Sequence, residues 1–229
     1  MNKLAYVMGM LCIVSIVHVA GAKYGGGSGT TIDPFQIWTA EQLVEMSLHS
    51  EDWDRCFVLR TDVDVSVYMF EGAVIAPCMD PNEWCADKAF RGTFDGNGHT
   101  IRNLTVFGTS GTGLFGTLAE GGLVKGLGVV DAVVICEGGD VGIIVGDNGG
   151  SVADCYSTGT VSGDTSVGGL VGVNKGSISR SHSTARVSGG SFVGGVTGWN
   201  LDSVSTSHST GAVSGDSDVG GLVGWNAGR

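Results

Sequence analysis

The chain has 229 residues, of which 41 are Gly, 3 are Pro and 15% are charged, and its formal net charge is −11. Glycine at this density excludes a helical bundle, because each Gly in a helix costs about 1 kcal/mol relative to Ala. Scarce Pro without a triplet repeat excludes collagen, and 42% apolar residues exclude a disordered polar chain. The acidity argues against a nucleic-acid partner and against docking on anionic lipid, both of which need a basic face.

In chain order, the first signal is N-terminal. Lys3 precedes an apolar run from Leu4 to Val19, and Ala20-Gly21-Ala22 has the small-x-small form of a signal-peptidase site. Residues 1–22 are predicted to be a signal peptide. Cleavage after Ala22 would export the chain and leave no stable membrane span, since the run is short for one. Five cysteines would remain: Cys56, Cys78, Cys85, Cys136 and Cys155. Export permits disulfides, and Cys78 with Cys85, close together in a Pro-containing loop, is the expected pair. No C-x-x-C occurs among the five, so a zinc site has little support.

Residues 23–92 read as an N-terminal cap plus first coil. Thr39 as N-cap and Gln42 as its capping-box partner open a helix to about His49, with Leu43, Val44, Met46 and Leu48 as apolar bulk. Residues 57–59 and 63–67 read as strands, the second with Val63, Val65 and Val67 on one face. Residues 68–92, with Pro77, Pro81 and two Cys, read as an irregular excursion.

Residues 93–229 are organised by a repeat. Val167-Gly168-Gly169-Leu170-Val171-Gly172-Val173-Asn174 returns as Val193 to Asn200 and as Val219 to Asn226, with a looser copy from Val141 to Asn148, always in steps of 26. Tyr156-Ser157-Thr158-Gly159-Thr160-Val161-Ser162-Gly163 keeps the same step in the segments beginning at His182 and His208. A degenerate copy, Gly113-Leu114-Phe115-Gly116, lies 30 residues before its equivalent at Gly146, which requires one longer turn. The period is too short for a propeller blade. The fold class expected is all-β: a β-solenoid of ~26-residue coils with a small N-terminal α/β cap, its coils ~4.8 Å apart. Val167 and Leu170 would fill a thin core that one coil alone could not bury.

Stacked coils turn repeated positions into ladders. Asn148, Asn174, Asn200 and Asn226 form one, with amides expected to bond to each other or to turn backbone. Asp147, Val173, Trp199 and Trp225 form a second, and Tyr156, His182 and His208 a third. Tyr156, His182, His208, Trp199 and Trp225 together are a candidate binding strip for surface glycans or proteins, because aromatic faces suit pyranose rings and partner surfaces. The alternative is a ladder that serves only its own stacking.

The Val-Gly-Gly-Leu-Val-Gly-x-Asn and Ser-Thr-Gly-x-Val-Ser-Gly blocks resemble the GLUG-motif repeat of secreted and surface-associated bacterial proteins. The segment from Phe90 to Val106, which contains Asp95-Gly96-Asn97-Gly98-His99, is similar to the stretch that precedes those repeats. The resemblance implies a right-handed β-helix-like domain in large exported proteins, some adhesin-like and some attached to peptidases. It brings no catalytic site for the repeat itself. The chain stops three residues after Asn226, so either a longer parent protein or end-to-end self-association through the last coil is expected.

Asp95-Gly96-Asn97-Gly98-His99 reads as a tight turn; calcium or carbohydrate binding is the sharper alternative, but calcium wants six or more oxygens. The acids of Gly163-Asp164 and Gly215-Asp216-Ser217-Asp218 read as solvated turn carboxylates. Hydrolysis of a glycosidic bond needs two carboxylates flanking it; Asp62 with Asp64, and Asp216 with Asp218, would each point to one face in an extended segment. Their surroundings lack the Gly-His-Gly and Arg-x-Lys elements of polygalacturonases. Neither His-Glu-x-x-His nor a Gly-x-Ser-x-Gly elbow between strand and helix is present. The expectation is a non-enzymatic secreted or cell-surface repeat module, a spacer or adhesion scaffold without catalytic residues, metal or cofactor. The alternative is a polysaccharide-active β-helix enzyme, a lyase or glycoside hydrolase.

Overall fold

The computed structural model describes residues 23–77 and 88–228. The signal segment and the Cys78–Cys85 pairing lie outside the described residues. Among the described residues the chain is a β-solenoid of about seven turns, whose strands pair in parallel, coil upon coil.

One regular coil runs through the strands Thr165–Gly168, Val171–Asn174, Ser177–Ser179, His182–Ser183 and Arg186–Ser188. Each pairs with the segment 26 residues on: Thr165 with Ser191, Val171 with Thr197, Ser177 with Ser203 and His182 with His208. Stacking generates sheets of four, five, seven and ten strands among the described residues. The seven-stranded sheet runs from Phe35–Ile37 to Ser203–Ser205 and takes one strand from each turn.

The repeat motif folds this way because its small residues permit close approach. Val167, Leu170, Val171, Ile178 and Val187 are fully buried, as are Val193 and Val196 one coil later. Gly198 lies mid-strand, directly on the backbone of the preceding coil. A Cβ there would sit 2.4 Å from the carbonyl carbon of Ser166 and from the nitrogen of Val167, so no side chain fits.

The 30-residue step is absorbed differently from the sequence expectation. Phe115 pairs with Val145, but Leu123 pairs with Ser151, Val133 with Thr160 and Gly139 with Thr165. The extra residues are therefore shared among the turn 119–122, a bulge between Val129 and Ala132, and the corner 136–138. Three small adjustments replace one long turn, and Asp131 in the bulge takes a left-handed φ of 56°.

At the N-terminal end, α1 (Ala40–Leu48) starts at Thr39 with both capping-box bonds formed. Leu43 and Met46, one turn apart, face the core. Leu48 does not contribute to it: at the end of the helix it is 76% exposed. The expected strand 63–67 shortens to Val63–Asp64. The Asp64 carboxylate accepts from the Ser66 amide at 2.8 Å and Tyr68 N–H donates to the Val65 carbonyl. These bonds turn the chain away, so Val65 stays buried while Val67 is 82% exposed. Residues 24–26 cover the outer edge of the first strand through Gly25 N–H to Gln36 O and Gln36 N–H to Gly26 O, both 2.8 Å. This end is plugged by rings: Tyr24, Phe35, Phe57, Phe90 and Phe115 meet edge-on or tilted at 5.0–6.2 Å.

Candidate functional site

Asn148, Asn174, Asn200 and Asn226 stand in one column. Each Nδ2 donates to the next Oδ1 at 2.7 Å, from Asn148 through Asn174 and Asn200 to Asn226. Asn174 Nδ2 also reaches the Ser203 carbonyl at 3.1 Å. The first three side chains are essentially inaccessible. A buried amide must be satisfied, and each rung satisfies its neighbour. The column is part of the frame and offers nothing to a ligand along its buried length.

Tyr156, His182 and His208 stack on the ten-stranded sheet. The Tyr156 and His182 rings are 5.4 Å apart and 7° from parallel; His182 and His208 are 4.9 Å apart and 2° from parallel. One rung below, Gly128 makes room for Tyr156: a Cβ there would lie 2.4 Å from Cζ of the ring. Burial, and after it the His208 charge, hold the His182 imidazole below its ordinary pKa. The folded chain therefore binds fewer protons at this site than the unfolded chain, whose His titrates near ~6.5. The sign follows: stability is intact above that value and falls as pH drops through it toward the folded pKa. His182→Tyr, which copies Tyr156 one rung earlier, is expected to flatten the melting temperature between pH 7.5 and 5. Parallel pH profiles for wild type and variant would contradict this.

Trp199 and Trp225 pair in register on the five-stranded sheet, above Val173 and Asp147. Phe192, from the adjoining strand Ser191–Gly194, joins them: its ring lies 5.9 Å from Trp199, tilted, and 5.7 Å from Trp225, edge-on. The expected single strip is thus two. Tyr156, His182 and His208 occupy one sheet and the tryptophans another, and among the described residues no ring contact links them. Phe192 escapes a sequence reading because its ladder, Asp140, Ser166, Phe192 and Asp218, shares no chemistry. What it shares is a left-handed backbone, with φ of 59°, 54°, 53° and 52°.

Several acids are committed to cross-rung pairs. Arg180 forks onto Asp154 with two bonds of 2.7 Å, Lys175 meets Asp147 at 2.7 Å and Lys125 meets Asp95 at 3.0 Å. Asp95 also accepts from the Asn97 amide at 2.8 Å, and Asn97 and Gly98 have φ of 52° and 79°, which makes the Asp-Gly-Asn-Gly segment a tight turn. Asp62 accepts from Thr100 N–H and Arg102; Asp64 accepts from Ser66 N–H and Asn103. These bonds to the charged form hold both carboxyls below the ordinary range. Asp140 is different: burial first, then the charge of Asp147, pushes its carboxyl up. Asp216 and Asp218 are exposed. Cys56, Cys136 and Cys155 are free thiols. Among the described residues no three His, Cys, Asp or Glu side chains converge as a metal site would need, and no helix is long and apolar enough to cross a membrane.

No family model matches the chain. It is 33% identical over 143 residues to halomucin of Haloquadratum walsbyi, an alignment that covers 62% of this chain and 2% of halomucin. It is 34% identical over 163 residues to a provisionally named Gly-rich membrane protein of Evansella cellulosilytica, covering 66% of this chain and 18% of that one. The chain thus spans less than a fifth of either curated relative. Among solved structures, a provisionally assigned immunoglobulin A1 protease from Bacteroides ovatus matches with a TM-score of 0.69 at 25% identity, over 90% of this chain and 66% of that chain. The fold of the chain is therefore that of a repeat-built β-solenoid with a counterpart of known structure.

Proposed function

We propose that this chain is a GLUG-type repeat section of a secreted or cell-surface protein, acting as a non-enzymatic spacer and as a scaffold that binds surface glycans or proteins. One observation carries the reading. From Gly139 onward each coil presents the next with the same strand edges and the same Asn column. Such a rod lengthens by about 4.8 Å per coil and is stabilised rung by rung. Two features support it further. Two of the coil acids, Asp147 and Asp154, are engaged with Lys175 and Arg180 of the next rung, and the outward positions around them are largely Ser, Thr and Gly. The names of the relatives, a mucin-like name and a membrane-protein name, agree with a place outside the cell, as does the apolar N-terminal segment.

The test is a turnover assay on the intact chain with neutral and acidic polysaccharides and with immunoglobulin A1. The expected result is no new reducing ends, no unsaturated products and no peptide cleavage. Sustained turnover of any of them would overturn the proposal in favour of an enzyme.

A further inference from the structure

The cluster Phe192–Trp199–Trp225 is more apolar than the fold requires. The preceding coil fills the same two positions with Ser166 and Val173, and the one before it with Asp140 and Asp147; both keep the strand register. The frame is thus indifferent to aromatic bulk at these sites. Phe192 is even unfavourable for the backbone. Its φ of 53° is a conformation that Asp tolerates through local hydrogen bonds and that a bulky ring does not favour. Neighbouring coils therefore show what the fold accepts here, and the aromatic residues need another reason.

The surroundings restrict the occupant. Trp225 is 46% exposed, while Phe192 and Trp199 are half-buried and hold it from behind. Asp218 flanks the cluster on the rung of Trp225, and Asp140 with Asp147 lie three rungs below it. Lys175 is bound to Asp147. With a chain charge of −11, this region repels uronates, sulfated glycans and anionic lipid. Flat rings with acceptor-only carboxylates at the margin match the apolar ring face and hydroxyl edge of an uncharged sugar.

Resting on the scaffold reading above, we infer that Phe192, Trp199 and Trp225 form a binding site for a polysaccharide of uncharged pyranoses, whose rings stack on Trp225 and whose hydroxyls donate to Asp218. The Tyr156–His182–His208 stack is not part of this site.

The test measures retention of the full chain on insoluble cellulose and chitin, and affinity for cellohexaose and chitohexaose, with polygalacturonate as the anionic control. The main variant is Phe192→Ser/Trp199→Val/Trp225→Val, which installs the residues of the preceding coil and is expected to keep the circular dichroism and the cooperative melt. A single Trp225→Ala variant serves as a second probe. The expected result is retention on at least one neutral polymer, weakened at least tenfold in the triple variant and measurably in Trp225→Ala, with none on polygalacturonate. Absence of retention by wild type, equal retention by the variants, or preference for the anionic polymer would overturn the site. A folded chain that binds only protein partners would also overturn it. Each of these outcomes leaves the scaffold reading standing; only turnover of the polymer would remove that reading as well.

Discussion

Gly198→Ala is expected to destabilise the C-terminal coils by about 3 kcal/mol or more, at the upper end of overpacking effects. The added carbon would meet main-chain atoms of Ser166, Val167 and Phe192 at 2.4–2.6 Å. Backbone locked in parallel ladders cannot move aside as the end of a flexible side chain can. The coil must lift off its neighbour, breaking pairings such as Val171 with Thr197. Gly195→Ala is expected to act similarly, because its Cβ would lie 2.2 Å from the Gly221 carbonyl oxygen of the next coil. Gly221 occupies the same motif position but has nothing within 4 Å of its Cβ position. Gly221→Ala is therefore expected to leave stability unchanged or slightly raised. Chemical denaturation of the three variants checks the order. Because contacts run between neighbouring coils, Gly198→Ala is expected to melt the C-terminal coils first while the N-terminal end keeps its hydrogen-exchange protection. Equal stability of Gly198→Ala and Gly221→Ala would show that the coils do not pack as described.

Asn174→Ala is expected to cost about 3 kcal/mol, whereas Asn226→Ala costs about 1 kcal/mol or less. The internal substitution removes an acceptor from Asn148, a donor from Asn200 and a donor from the Ser203 carbonyl. It strands those groups in a site closed to water, where an unmet polar group costs more than a hydrogen bond contributes. Asn226 accepts from Asn200 at 2.7 Å but is itself exposed, so water can replace it. Thermal or denaturant melts of both variants measure the difference. Equal effects at the two positions would mean that the amides act separately.

The contrast between those two residues also explains how much was legible in advance. A β-solenoid converts sequence period into spatial register, so 26-residue identity at Asn148, Asn174, Asn200 and Asn226 carries contact information directly. The capping box at Thr39 is equally local: both of its bonds lie within four residues. Other features depend on geometry that identity does not encode. The alternation of Val63, Val65 and Val67 continues in sequence where the Asp64 turn has already ended the strand. The four surplus residues of the irregular coil leave no single insertion to find, because a bulge, a turn and a corner each take a share. The aromatic cluster was half legible. Trp199 and Trp225 announce themselves by register, but Phe192 reaches them through a left-handed residue in a neighbouring strand, at a position where the other coils carry Asp or Ser.

Nuclear magnetic resonance of the chain carrying ¹⁵N only in asparagine tests the stacking most directly. Side-chain amide protons of Asn174 are expected to show cross-relaxation to those of both Asn148 and Asn200, and to exchange with water far more slowly than those of Asn97 in its surface turn. Asparagine amides that exchange freely, without contact to the residue 26 positions away, would contradict the coil-on-coil arrangement and with it the scaffold built on it.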